Sequence, residues 1–298
     1  MKALMFLGCT VPVRNLNYEL SARKVAEALG VELEDLDDLG CCGYPLKGSD
    51  QESALVIAAR ALAQAKETGL PLVALCSACA GTLAEAEHQL AHDADLRDKV
   101  NQELKPLGLE YQPGVKVRHF MRFILEEVGL EAIQAKITKK LEGFRFAPHY
   151  GCHYLKPSEI TGGFDDPEDP QSLARLIEVT GAESVDYASM KECCGGGVLG
   201  ADEDLASLMA GKKLSELNEA GVNGMALICP FCNVMYEGQQ KAIGKKLDTK
   251  LKVPVVYVTQ LLGLAMGLKP EEVGLKLNRV KPKELLALYK DKKKKKAS

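Results

Sequence analysis

Ten cysteines, set out as the same five-cysteine pattern written twice, constrain this chain more than any other feature. They stand at Cys9, Cys41, Cys42, Cys76 and Cys79, and again at Cys152, Cys193, Cys194, Cys229 and Cys232. The intervals are 31, 33 and 2 residues in the first set and 40, 34 and 2 in the second, so one set is the other displaced by about 150 positions. Such self-similarity implies internal duplication. A chain of 298 residues with 46% apolar content can bury the cores of two domains. We expect an α/β fold of two pseudo-symmetric cysteine-rich domains, residues 1–142 with a helical connector and residues 143–298 with C-terminal helices and a basic tail.

The flanking patterns repeat as well. Each lone cysteine closes an apolar, strand-like run (residues 3–7 and 144–150), and each CxxC follows another (70–75 and 224–228). Between them, apolar residues recur every three or four positions over 17–29, 52–67, 170–180 and 203–220, which predicts helices. Further helices are expected after each CxxC, over 80–90 and 233–242. Alternating strands and helices imply parallel sheets, whose carboxyl ends present ligands. Residues 93–141 are charged and are expected to be a helical connector. Residues after 258 are expected to form helices that pack back on the second half.

Several functions are excluded or disfavoured. A net charge of -3 with interspersed signs gives no basis for nucleic-acid binding. The one basic run, residues 292–296, reads as a solvated tail and is assigned no role. No stretch approaches the length of a membrane span, because residues 253–268 are interrupted by Pro254, Gln260 and two glycines. Residues 1–8 read as a first strand rather than a targeting leader. A cytoplasmic protein is therefore expected, and there ten cysteines are better explained by metal ligation than by five disulfides.

Zinc would need four ligands in a tetrahedron, and the two CxxC pairs alone could supply them. Cys41–Cys42 and Cys193–Cys194, however, are adjacent residues whose side chains diverge in extended backbone. Such pairs suit a multi-iron cluster better, and a zinc reading leaves Cys9 and Cys152 unused. Gly43 follows the first pair and Gly195, Gly196 and Gly197 the second, allowing the backbone to turn and bring N–H groups close to a bulky anionic group. Pro230 begins the helix after Cys229 and aims its free N–H groups toward cluster sulfurs.

Cys, then CCG, then CxxC, occurring twice, resembles the cysteine-rich CCG domain family. The stretch His149-Tyr150-Gly151-Cys152-His153, with Leu155-Lys156-Pro157 behind it and Cys229-Pro230-Phe231-Cys232 later, is similar to the B subunits of heterodisulfide reductases. The resemblance implies two noncubane [4Fe-4S] clusters held by the ten cysteines, facing a shared cavity where a small-molecule disulfide binds. In that family the substrate is the coenzyme M–coenzyme B heterodisulfide of methanogenesis, and an open iron on each cluster takes one sulfur. It further implies a ferredoxin-like iron–sulfur C subunit, a flavin-containing A subunit, and hydrogenase or formate dehydrogenase modules as partners. A C-x2-C-x2-C-x3-C-P run is absent, so electrons must come from another chain. Residues 43–47 and 77–78 do not look like those of methanogen enzymes, which leaves the disulfide open.

His153 is the candidate proton donor to a departing thiolate, with a structural role the alternative. Arg14 and Lys156 are candidate anion-binding residues, with surface salt bridges the alternative. His149 is expected to be buried and hydrogen-bonded, and His88, His92 and His119 solvated. Two other functions stay open: a non-catalytic electron relay to or from a flavin oxidoreductase of the lactate-oxidation or fumarate-reduction type, and a zinc-stabilised scaffold.

Overall fold

The computed structural model describes residues 1–289; the basic run at 292–296 lies outside them. Two four-stranded, wholly parallel sheets carry the chain. The first is built from β1 (Lys2–Phe6), β2 (Glu32–Glu34), β3 (Leu72–Ala74) and β4 (Val117–His119), in the order β2-β1-β3-β4. The second comprises β5 (Arg145–His149), β6 (Glu183–Ser184), β7 (Gly224–Leu227) and β8 (Val255–Tyr257), in the order β6-β5-β7-β8. One order is the other, as duplication requires. Ala3, Leu4, Met5 and Phe6 are all buried, because helices cover both faces of a parallel sheet and its central strands need no polar side.

The long helices repeat their signals too. Gln51–Thr68 starts where Asp50 accepts the Ser53 N–H at 3.0 Å, and Glu203–Glu219 where Asp202 accepts the Leu205 N–H at 2.9 Å. Both are aspartate N-caps, which satisfy a backbone donor that the helix leaves unpaired. Eight residues before the start of each helix a glycine with positive φ turns the chain: Gly43 at +87° and Gly195 at +77°. A Cβ on Gly43 would lie 2.4 Å from the carbonyl oxygen of Ala54, and one on Gly195 2.8 Å from that of Ala206. The glycine after each cysteine pair thus lets the loop press directly onto helix backbone.

Three segments differ from the sequence expectation. Residues 93–141 begin with a helix, Ala94–Leu104, but then supply β4, which completes the first sheet. At three residues that strand is too short to show a period of two. β8 lies inside the apolar stretch 253–268 and pairs with β7. The helix after it, Val258–Ala265, packs against Leu16–Ala28 of the first half as well as Ser172–Glu178 of the second, rather than on the second half alone. The helix expected over 233–242 is broken into Pro230–Asn233, a π-helical turn over Val234–Gly238, and Gln240–Lys246.

Candidate functional site

The fold puts every cysteine at the carboxyl end of its sheet. In each half the first, second and third strands pair side by side, and β1/β3 and β5/β7 are the places where successive connections leave in opposite directions. Ligand sites form at such switch points. Cys9 follows β1 and Cys76 follows β3; Cys152 follows β5 and Cys229 follows β7. The adjacent pairs arrive from the crossovers after β2 and β6.

All ten thiols are free. The two sets share one gradient of burial: Cys9 and Cys152 exposed, Cys41 and Cys193 intermediate, the other six buried. Nine thiols form a continuous run in which each acts on the acidity of the next: Cys41, Cys42, Cys79, Cys76, Cys229, Cys232, Cys194, Cys193, Cys152. The halves meet within it, Cys76 Sγ lying 3.8 Å from Cys229 Sγ. Cys9 stands at the end of the run, its charge acting on Cys41. Thiols that donate to a neighbour's sulfur make that neighbour the stronger acid. Cys42 is pulled down to about 4 by Cys41 and Cys79, and Cys193 to about 2 by Cys152 and Cys194. Cys42, Cys193 and Cys229 are thereby held toward thiolate, the metal-binding form, while Cys41, Cys76, Cys79, Cys152, Cys194 and Cys232 are pushed the other way.

Backbone donors support the same charge. Gly43 N–H donates to Cys41 Sγ, Gly195 N–H to Cys193 Sγ and Gly196 N–H to Cys194 Sγ, each at 3.4 Å. The first-turn N–H of Cys79 serves Cys76, and those of Cys232 and Phe231 serve Cys229. An iron–sulfur cluster fits these residues on three counts. The donors are free thiols, some of them in each array held toward thiolate, they spread over a wider array than one ion spans, and the backbone comes close enough to leave no room for side chains. A Cβ on Gly8 would lie 2.9 Å from Cys79 Sγ. Ser77 Oγ, between Cys76 and Cys79, is buried without a partner among the described residues. Among those residues no group of three or more His, Cys, Asp or Glu side chains closes around a single ion.

A cavity of about 600 Å³ opens beside the arrays. Its lining joins Cys9, Cys42, Tyr44, Cys76 and Cys79 of the first half to Gly196, Gly197 and Phe231 of the second. Lys47, ion-paired with Glu85, is its cation. The other candidates take different places. Arg14 is exposed at the end of the short helix Val11–Arg14, away from the lining. Lys156 is exposed, pairs with Glu168 at 3.4 Å, and borders a separate recess beside Cys152 and Cys193. His153 lies behind Tyr44, edge-on to its ring with centroids 5.1 Å apart, and packs over Gly81 of the first half. Burial lowers its pKa.

Tyr44 is the residue that sequence reasoning passed over. Its ring lines the cavity, a Cβ on Gly197 would sit 3.4 Å from its hydroxyl, and burial with the charges of Cys194 and Cys193 raises its pKa to about 12. The signal available was its position two residues after Cys42.

The halves are bound by polar contacts that converge on the second CxxC. Ile228 carbonyl accepts from Tyr18 hydroxyl at 2.9 Å and from His119 Nε2 at 3.1 Å, both from the first half. Tyr18 stacks on Tyr257 at 3.9 Å. His119 is therefore not solvated, as its charged surroundings in sequence suggest. It ends β4, is 3% exposed, and accepts the Met121 N–H on Nδ1 while donating from Nε2. His88 and His92 remain on the exposed helix end.

Burial lowers the His119 pKa to about 4, below its ordinary 6.5. The neutral ring is the folded form, so the unfolded chain takes up the proton first as pH falls. Stability from this group is complete above pH 6.5 and is lost as pH drops toward 4, by roughly 3 kcal/mol. Urea unfolding at a series of pH values should show this loss in the wild type, and a shallower acid slope in His119→Gln, which cannot titrate. Equal slopes would place the acid sensitivity elsewhere.

Comparison with known proteins agrees with this geometry. Two matches to the cysteine-rich CCG domain cover residues 3–84 and 146–237. The chain is 35% identical to the B subunit of the ferredoxin/F(420)H(2)-dependent CoB-CoM heterodisulfide reductase of Methanosarcina acetivorans, over 96% of each chain. It is 28% identical to the 8-methylmenaquinol:fumarate reductase membrane anchor subunit of Wolinella succinogenes, over 92% of this chain and 95% of that one. Among the described residues here no helix is long and apolar enough to cross a membrane. A crystal structure of a hypothetical protein from Helicobacter pylori shares the fold, with a TM-score of 0.77 and 17% identity over 94% of this chain and 52% of that one. The duplicated CCG domains and the near-complete match to a heterodisulfide reductase B subunit place the chain in the B-subunit family of heterodisulfide reductases.

Proposed function

We propose that the chain is the disulfide-cleaving iron–sulfur subunit of a reductase complex, holding one noncubane [4Fe-4S] cluster on each cysteine set. The observation that carries this reading is that two five-thiol arrays meet at Cys76 and Cys229 beside one cavity lined from both halves. Bound there, the clusters supply electrons one at a time and open iron to which sulfur can bind. Cleaving a disulfide takes two electrons and two protons and yields two thiols. The chain's own residues do the rest. Phe231 and Tyr44 wall the cavity and exclude water, and Lys47 offers charge to an anionic substrate group, held in place by Glu85.

Tyr44, whose hydroxyl stays protonated at neutral pH, is on the lining and is the first proton donor, and the proton it gives up is regained from solvent; His153, neutral because burial lowers its pKa, packs behind the ring and positions it. Arg14 and Lys156 are not assigned to the substrate. The electrons reach this chain from a ferredoxin-like partner, with a flavin-containing subunit upstream. The disulfide is the coenzyme M–coenzyme B heterodisulfide or a related one. The second reading, an electron relay with no chemistry of its own, is favoured by the likeness to a fumarate reductase subunit. Adding thiols and disulfides to the reduced, iron-loaded protein separates the two. A catalytic site changes its EPR signal when substrate sulfur binds, whereas an unchanged signal would leave the relay.

A further inference from the structure

Duplication allows each residue of one half to be set against its counterpart. Gly43 packs on Ala54 as Gly195 packs on Ala206, a displacement of 152 residues through the loop and the following helix. Phe6 pairs with Ala74 and His149 with Leu227, two residues before Cys76 and Cys229 respectively. On this register Lys213 answers Ala61 and His149 answers Phe6, and all four are buried. One half is apolar where the other buries an amine against an imidazole.

The amine is fully bonded. Lys213 Nζ donates to the carbonyls of Glu192 at 2.9 Å and Met190 at 3.0 Å, and to His149 Nδ1 at 3.2 Å. Three partners match the three N–H bonds of an ammonium; a neutral amine would instead donate to the two carbonyls and accept from His149 Nδ1–H. Burial draws the Lys213 pKa down to about 8, against the pull of the Cys232, Cys194 and Cys152 charges. With Lys213 as the ammonium donor, Nδ1 of the neutral His149 ring accepts and the ring proton lies on Nε2, a buried atom with no partner among the described residues. His149 also borders the recess of about 180 Å³ shared with Cys152 and Cys193.

We propose that Lys213 and His149 make the second cysteine set the more readily reduced of the two. The fixed ammonium offsets the negative charge that an added electron brings, and His149, whose Nε2 has no partner among the described residues, lies close enough to act on Cys193. Nearby charge and hydrogen bonds to sulfur are the means by which a protein raises a cluster's potential. The first set faces Ala61 and Phe6 at these two positions, and the cation on its side of the cavity, Lys47, is already paired with Glu85. This inference rests on the iron–sulfur reading above.

The test uses anaerobically loaded, full-length protein with one set disabled at a time, Cys42→Ala to isolate the second and Cys194→Ala the first. Iron and acid-labile sulfide are measured in each, followed by EPR-monitored redox titration. The second set should titrate at the higher potential. Lys213→Met should shift it downward and leave the first unmoved. His149→Phe, which copies the first half, should shift it in the same direction by less, and it decides the question alone if Lys213→Met fails to retain iron. Variants that keep their iron with potentials unchanged, or that shift both sets equally, would overturn the assignment. Absence of iron and sulfide from the parent protein would instead overturn the iron–sulfur reading and this inference with it.

Discussion

Cys42→Ala and Cys194→Ala should each reduce disulfide cleavage to the background of the protein-free reaction while the untouched set still assembles. Cys42 is 1% exposed and Cys194 6%, each at the centre of its thiol array and each in reach of the CxxC of its own half. Alanine there removes one ligand and the stabilisation of its neighbours, so one set should lose its iron. If each product sulfur is taken by a different half, the remaining half has no second site for the other thiolate, and cleavage stops rather than slows. A relay behaves differently: the surviving set would still be reduced and would pass electrons to an artificial one-electron acceptor. Cleavage rate and substrate-induced EPR change, measured after iron analysis of both variants, distinguish the two. Near-normal cleavage by either variant would refute the two-half arrangement and point to a single set with Tyr44 or His153.

The isolated chain, supplied with a reduced flavoprotein, should show no turnover above background until a ferredoxin-like partner is added. A flavin hands over electrons to a wire of clusters, and the ferredoxin run that would form such a wire is missing from this sequence. The buried thiol run offers poor access in its place, since only Cys9 and Cys152 are exposed. Steady-state disulfide reduction by the chain alone, then with the partner titrated in, measures the effect. Full activity without the partner would mean that the chain accepts flavin electrons directly.

The cysteine positions were legible because spacing survives in sequence: the duplicated pattern located β1, β3, β5 and β7 and the cysteines at their ends. β2, β4, β6 and β8 were not, since strands of two or three residues carry no periodicity and owe their existence to the neighbour they pair with. His119 illustrates the same limit. Charged neighbours suggested a solvated ring, but pairing places it at the end of β4, where it reaches the Ile228 carbonyl of the other half. Lys213 was within reach of a closer reading. Ala206, Ala210, Leu214 and Leu217 form the buried face of its helix, and Lys213 falls three residues after Ala210 and four before Leu217, on that same face. What sequence could not supply was the trio of acceptors that makes such burial tolerable.

The most direct measurement of the central claim is metal and sulfide analysis of protein purified without oxygen. Two four-iron sets predict about eight iron atoms per chain with a matching amount of acid-labile sulfide. One or two zinc ions per chain, with little iron and no labile sulfide, would contradict it.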